Sequence, residues 1–143
     1  MTTYTQPFFE TNWYAIAINW ADQASANSNW YDMEEYHRVV GILQTGTVAA
    51  GEDVRIAIYA ATDGSGTSAT LVKQMTAAQA VNGNNDLAFV EVRGEEVEAA
   101  LANAKFVQIR ATATGTPEYG VIINLYVPQY PPVDVTHIDR LIS

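Results

Sequence analysis

His37 and His137 are the two histidines of a 143-residue chain that has no cysteine. Zinc needs three or four nitrogen or sulfur ligands, usually at short spacings such as His-x-x-x-His, and neither histidine has such a neighbour. Asp32, Glu34 and Glu35 crowd together and offer carboxylate oxygens to a hard cation, but without the ligand spacing of a calcium loop they read as a solvated acidic turn. Asn82-Gly83-Asn84-Asn85-Asp86 has the composition of such a loop without its downstream glutamate, and a hairpin turn accounts for it. Asp63-Gly64-Ser65-Gly66-Thr67 matches neither the Gly-x-Ser-x-Gly nucleophile elbow nor the Gly-Lys-Ser/Thr of a phosphate loop, and reads as a flexible connection between strands. Sixteen acidic residues make accidental carboxylate pairs inevitable in a small fold, so a glycosidase pair has no signature here. The residues that could do chemistry therefore predict no catalytic group, no cofactor and no metal centre.

The elements that would have to position such groups are legible in the alternation of apolar and polar residues. Val39, Gly41 and Leu43 point one way and Val40, Ile42 and Gln44 the other; Val54, Ile56 and Ile58 alternate with Arg55, Ala57 and Tyr59. Gly46 and Gly51 bracket the loop between these strands, which suggests a hairpin within residues 36–62. Further strands are expected at Ala69–Met75, Leu87–Val92, Phe106–Thr112 and Glu118–Val127, the last two joined as a hairpin through Thr114-Gly115-Thr116-Pro117. Gly94–Ala104 reads as the single helix, with its acids at the positive N-terminal end and Val97 and Leu101 on one face. Seven or eight short strands predict an all-β fold, an antiparallel β-sandwich or jelly-roll-like barrel with at most one short helix. The chain length fits one domain.

The ends differ from this body. Nine of the fifteen aromatic residues fall in the first 36 positions, and Trp13–Trp20 is apolar on both faces, as expected of a strand covered on both sides. Residues 1–35 thus read as an aromatic arm or strand packed on or between subunits, 36–132 as the sandwich body and 133–143 as a C-terminal arm. Pro128, Pro131 and Pro132 mark the exit, because proline ends strand pairing. The partner-contact candidates are Trp13, Tyr14, Trp20, Trp30, Tyr31, Tyr130, Pro131, Pro132, Ile138 and Leu141. A net charge of -9, with no Lys or Arg before Arg38, argues against direct binding of nucleic acid. An acidic surface also discourages adsorption to anionic membranes, and the sequence has neither a membrane-length apolar run nor the basic start and apolar centre of a signal peptide.

The order Tyr36-His37-Arg38-Val39-Val40, Ala50-Gly51-Glu52-Asp53-Val54, Ala60-Ala61-Thr62-Asp63-Gly64-Ser65-Gly66-Thr67, Phe106-Val107-Gln108-Ile109-Arg110 and Tyr130-Pro131-Pro132 resembles a family of small β-rich bacteriophage proteins that decorate or stabilise the head. The resemblance spans Tyr36 to Pro132, about two thirds of the chain, and its elements are structural. It implies a non-enzymatic virion protein on the outer capsid surface, made in the host cytoplasm, attached to the major capsid protein and self-associated as a symmetric homo-oligomer, with a trimer favoured. A head-tail or fibre-associated position is the variant of that reading. A carbohydrate-binding module is the competing class, because exposed Trp13, Trp20 or Trp30 on a sandwich would stack on sugar rings; a coplanar exposed platform would favour it.

Overall fold

The computed structural model describes residues 12–127 and 141–142. In chain order these form β1 (Asn12–Asp22), β2 (Ala26–Asn27), β3 (Tyr31–Asp32), β4 (Arg38–Thr45), β5 (Asp53–Ala61), β6 (Thr70–Gln74), β7 (Leu87–Arg93), α1 (Gly94–Ala100), β8 (Phe106–Thr114), β9 (Glu118–Tyr126) and β10 (Leu141–Ile142). One sheet runs β1-β9-β4-β7-β10, and the other runs β2-β8-β5-β6 with β3 also on β8. All pairings are antiparallel except the short parallel one between β10 and β7.

Taking β2 and β3 as one interrupted strand, the pairs nest. Leaving aside the two-residue β10, β1 lies against β9, β2 and β3 against β8, then β4 against β7, and β5 against β6 in the middle. A chain paired in this way is one long hairpin rolled over on itself, a jelly roll. The all-β sandwich expected from alternation is therefore present, with the jelly-roll connectivity.

Nested pairing corrects three local expectations. β4 and β5 lie in different sheets, so the loop from Gly46 to Glu52 arches across the sandwich instead of closing a hairpin. The Thr114–Pro117 break does the same between β8 and β9. Alternation tells which face of a strand is buried but not which strand lies beside it, and a Gly-containing loop suits an arch as well as a hairpin. Glu52 ties the two arches together, its Oε2 accepting from Ala49 N at 3.1 Å and its Oε1 from Thr116 N at 3.1 Å. Asn82–Asp86 is likewise no hairpin turn: it carries the chain from Val81, bridged to Val54 in one sheet, into β7 of the other. β5 and β6 form the true consecutive hairpin.

The core follows the expected parity. Val39 and Leu43, then Val54, Ile56 and Ile58, then Val121, Ile123 and Leu125 are all buried between the sheets. The sheets approach closely at Gly41, where an added Cβ would stand 3.0 Å from the Ile109 side chain and 3.1 Å from that of Ile56. Residues 12–32 are woven into both sheets through β1, β2 and β3, so the boundary drawn at residue 35 cuts through the sandwich. Helix α1 stops at Ala100, shorter than expected, because Leu101 already has extended backbone; beyond it Asn103 takes a positive φ of 61° and its N–H turns back to Glu98 Oε1 at 3.2 Å. Among the described residues no helix is long and apolar enough to cross a membrane.

Candidate interaction surface

The chemistry-bearing residues are held in local structure. Asp63 Oδ1 accepts from Ser65 N at 2.9 Å and Thr67 N at 3.1 Å, while the Thr67 hydroxyl donates to Oδ2 at 2.5 Å. Those bonds, Thr67 foremost, hold the Asp63 carboxyl below the usual carboxylate range. With Gly66 and Ser68 at positive φ, the segment is a fixed turn, in contrast to the flexible connection its composition suggests. Asp32 Oδ1 accepts from Glu34 N at 2.9 Å, and Glu34 faces Lys105 at 3.4 Å beside a shallow cleft under α1. Asn84 Oδ1 accepts from Val48 N at 2.7 Å and Thr45 Oγ1 donates to the Gly83 carbonyl at 2.8 Å. The Asn-rich turn thus braces the β4–β5 arch. No cluster of three or more potential metal ligands occurs among the described residues. His37 is exposed, with its backbone bonded to Tyr126 and Gly94; His137 lies outside the described residues.

The feature without a local explanation is the outer face of the first sheet. Cross-strand register sets Ile16 beside Ile122, Ile122 beside Ile42 and Ile42 beside Phe89, with the backbone of Leu141 next in line. Cross-strand partners share a face, so this is one apolar row running the width of the sheet. Ile16 is 68% exposed and Ile122 42%, while Ile42 and Phe89 are half-buried. The row toward the β9 C-terminus holds Tyr14, Asn124, Val40 and Glu91, and the row on the other side holds Gly120, Gln44 and Leu87. Trp20 lies over that last row: a Cβ on Gly120 would meet its ring at 3.2 Å, and one on Gly46 at 2.7 Å. Its indole Nε1 donates to Glu118 Oε1 at 2.6 Å, and the ring remains 48% exposed.

Charge is graded along the strands. At one end of the face Arg38 stands beside Tyr126 and Arg93, and pairs with Glu91 at 2.8 Å. At the opposite end Asp22 is in register with Glu118. The face is therefore apolar in the middle, basic at one end and acidic at the other. The outer face of the second sheet is different, with Arg55, Tyr59, Gln108 and Arg110 on its central strands and the Arg110 guanidinium 3.9 Å above the Tyr59 ring.

The aromatic contact candidates divide into three groups. Tyr14 and Trp20 belong to the exposed face. Trp13 and Tyr31 meet at the end of the sandwich, ring centres 5.4 Å apart and planes tilted by 56°. Burial pushes the Tyr31 phenol up, consistent with its packing against the core. Trp30 is half-buried over the Asp63 turn, where a Cβ at Gly66 would sit 2.7 Å from its Nε1. Leu141 is placed by backbone pairing alone, and Tyr130, Pro131, Pro132 and Ile138 lie outside the described residues. Ile16, Ile42, Ile122, Phe89 and Leu87 were not among the candidates. Their signal is apolar residues at both parities of one strand, which marks a sheet face that is covered in use.

No family model matches the chain, and no curated protein matches it. A solved structure from work on Bacillus endospore appendages, described as a family of disulfide-linked pili, is similar at 16% identity, covering 82% of this chain and 88% of that one with a TM-score of 0.41.

Proposed function

We propose that this chain is a non-enzymatic structural protein of a bacteriophage virion, one that binds the outside of the capsid through the major capsid protein and stabilises it as a symmetric homo-oligomer. The observation that supports this reading is the apolar row Ile16-Ile122-Ile42-Phe89 with Tyr14, Trp20 and Leu87 around it. A contiguous apolar patch of this kind marks an interaction surface, whereas scattered exposed leucines need no explanation. The paired strands behind it fix the backbone of the patch, so that binding need order only its side chains. The acidic charge suits a position outside the nucleic acid.

Stabilisation would follow from linkage. A protein that binds assembled shells and not free subunits lowers the free energy of the shell by an amount that grows with the logarithm of its concentration over the dissociation constant. Repetition over the lattice multiplies weak single contacts. The sugar-binding alternative has less support, since Trp13 packs at a tilt on Tyr31, Trp20 lies by Gly120 and Glu118 and Trp30 lies by Gly66, so that the three do not share one platform. Electron microscopy of virions of the phage that encodes the chain tests the proposal. Saturating density on the outer shell is expected; its absence from purified particles would overturn the assignment.

A further inference from the structure

We infer that the outer face of the β1-β9-β4-β7 sheet is the seat of a second copy of this chain, packed face to face with its strands antiparallel about a two-fold axis crossing the strands at the Ile16-Ile122-Ile42-Phe89 row. The inference rests on the reading of this face as an assembly surface and names its occupant. Charge selects the arrangement. A two-fold axis across the strands lays the row onto itself and brings the Arg38 and Arg93 end of one copy over the Glu118 and Asp22 end of the other. A two-fold axis along the strands would instead set arginines against arginines and carboxylates against carboxylates, which like-charge repulsion disfavours. An isologous contact needs a self-complementary patch, and this face is one only in the antiparallel sense.

Area sets the strength. Four strands at about 4.8 Å spacing and five outward rows at about 6.8 Å give roughly 650 Å² per copy, or about 1,300 Å² in total. That lies at the lower end of the ~1,200–2,000 Å² of specific interfaces. The pairing is accordingly a concentration-dependent dimer in the micromolar range, firm where many copies are gathered and reversible where they are not.

Sedimentation of the full chain over micromolar concentrations should show a monomer–dimer equilibrium. Ile122→Glu and Ile16→Glu, both at exposed sites, should keep the far-ultraviolet spectrum and each raise the dissociation constant at least about tenfold. The absence of native cysteine allows clean placement of thiols. With a thiol crosslinker spanning about 10 Å, the separation of stacked sheets, Ile122→Cys should join to itself, and Val40→Cys should join to Gln44→Cys in a mixture but not to itself. A monomer at every concentration, variants that dimerise like the parent, or Val40→Cys self-joining would each overturn the inference. Particle binding is read separately. A monomeric parent that still saturates capsids would sink this pairing and leave the virion assignment standing, whereas a dimer absent from virions would do the reverse.

Discussion

Tyr119 shows how one residue can carry a structural duty the sequence does not announce. It is fully buried, its hydroxyl donates to the Ala24 carbonyl at 2.6 Å, and burial pushes its phenol up to about 12. The unfolded value is about 10. Because the folded value is higher, this group's contribution is intact below pH ~10 and drains away as pH climbs toward ~12, at up to about 1.4 kcal/mol per unit. Chemical denaturation in that window should show the loss, and Tyr119→Phe should flatten it while lowering neutral stability by about 1 kcal/mol. Trp20 offers a second reading at this scale. Gly46→Ala puts a methyl 2.7 Å from both the Trp20 ring and the Glu118 carboxyl, so it should displace the indole, break its bond to Glu118 and shift tryptophan emission. A single sequence identifies these glycines as loop and strand residues; that they make room for an indole from a distant strand is a fact of register, which composition does not encode.

At the scale of elements the two arches and the close approach of the sheets bear the load. Glu52→Ala removes the acceptor for Ala49 N and Thr116 N at once. The variant should lose about 1–3 kcal/mol in a urea titration, with Glu52→Gln retaining part of it. Gly41→Val fills a gap already at contact distance from Ile56 and Ile109 and should cost about 1–3 kcal/mol by overpacking. Strand positions were readable for β4 to β9, and the alternation of faces for β4, β5 and β9, because hydrophobic alternation records burial directly. Strand neighbours were not, because β4 has the same inward residues whether β5 or β9 lies next to it. The hairpins expected at residues 36–62 and 106–127 became arches for that reason, and the end of α1 moved because Leu101 turns to extended backbone, a choice that propensity leaves open.

For the whole molecule, the outward row was latent in the same strings that revealed the core. Ile16, Ile42 and Ile122, with Val40 and Phe89, make the outward parity apolar in its middle, a pattern that the search for a buried face alone does not single out. The aromatic N-terminal residues do contribute to that surface through Tyr14 and Trp20, yet as part of β1 and not as a detachable arm. Deleting residues 1–22 should therefore strip β9 of a partner and lower the thermal midpoint sharply, while Ile122→Glu should leave that midpoint within a few degrees of the parent and reduce occupancy on particles. The nested pairing also sets the order of events at birth. Asn12 stands opposite Tyr126, so β1 is the first half of a pair whose second half, β9, leaves the ribosome much later. Translating the intervening stretch of roughly a hundred residues takes on the order of 5–20 s at ~5–20 residues per second. Folds dominated by such distant pairings also close slowly, in milliseconds to seconds. Throughout that interval Trp13, Ile16 and Trp20 lack the β9 strand that pairs with theirs, and the nascent chain faces its greatest risk of sticking to the wrong neighbour.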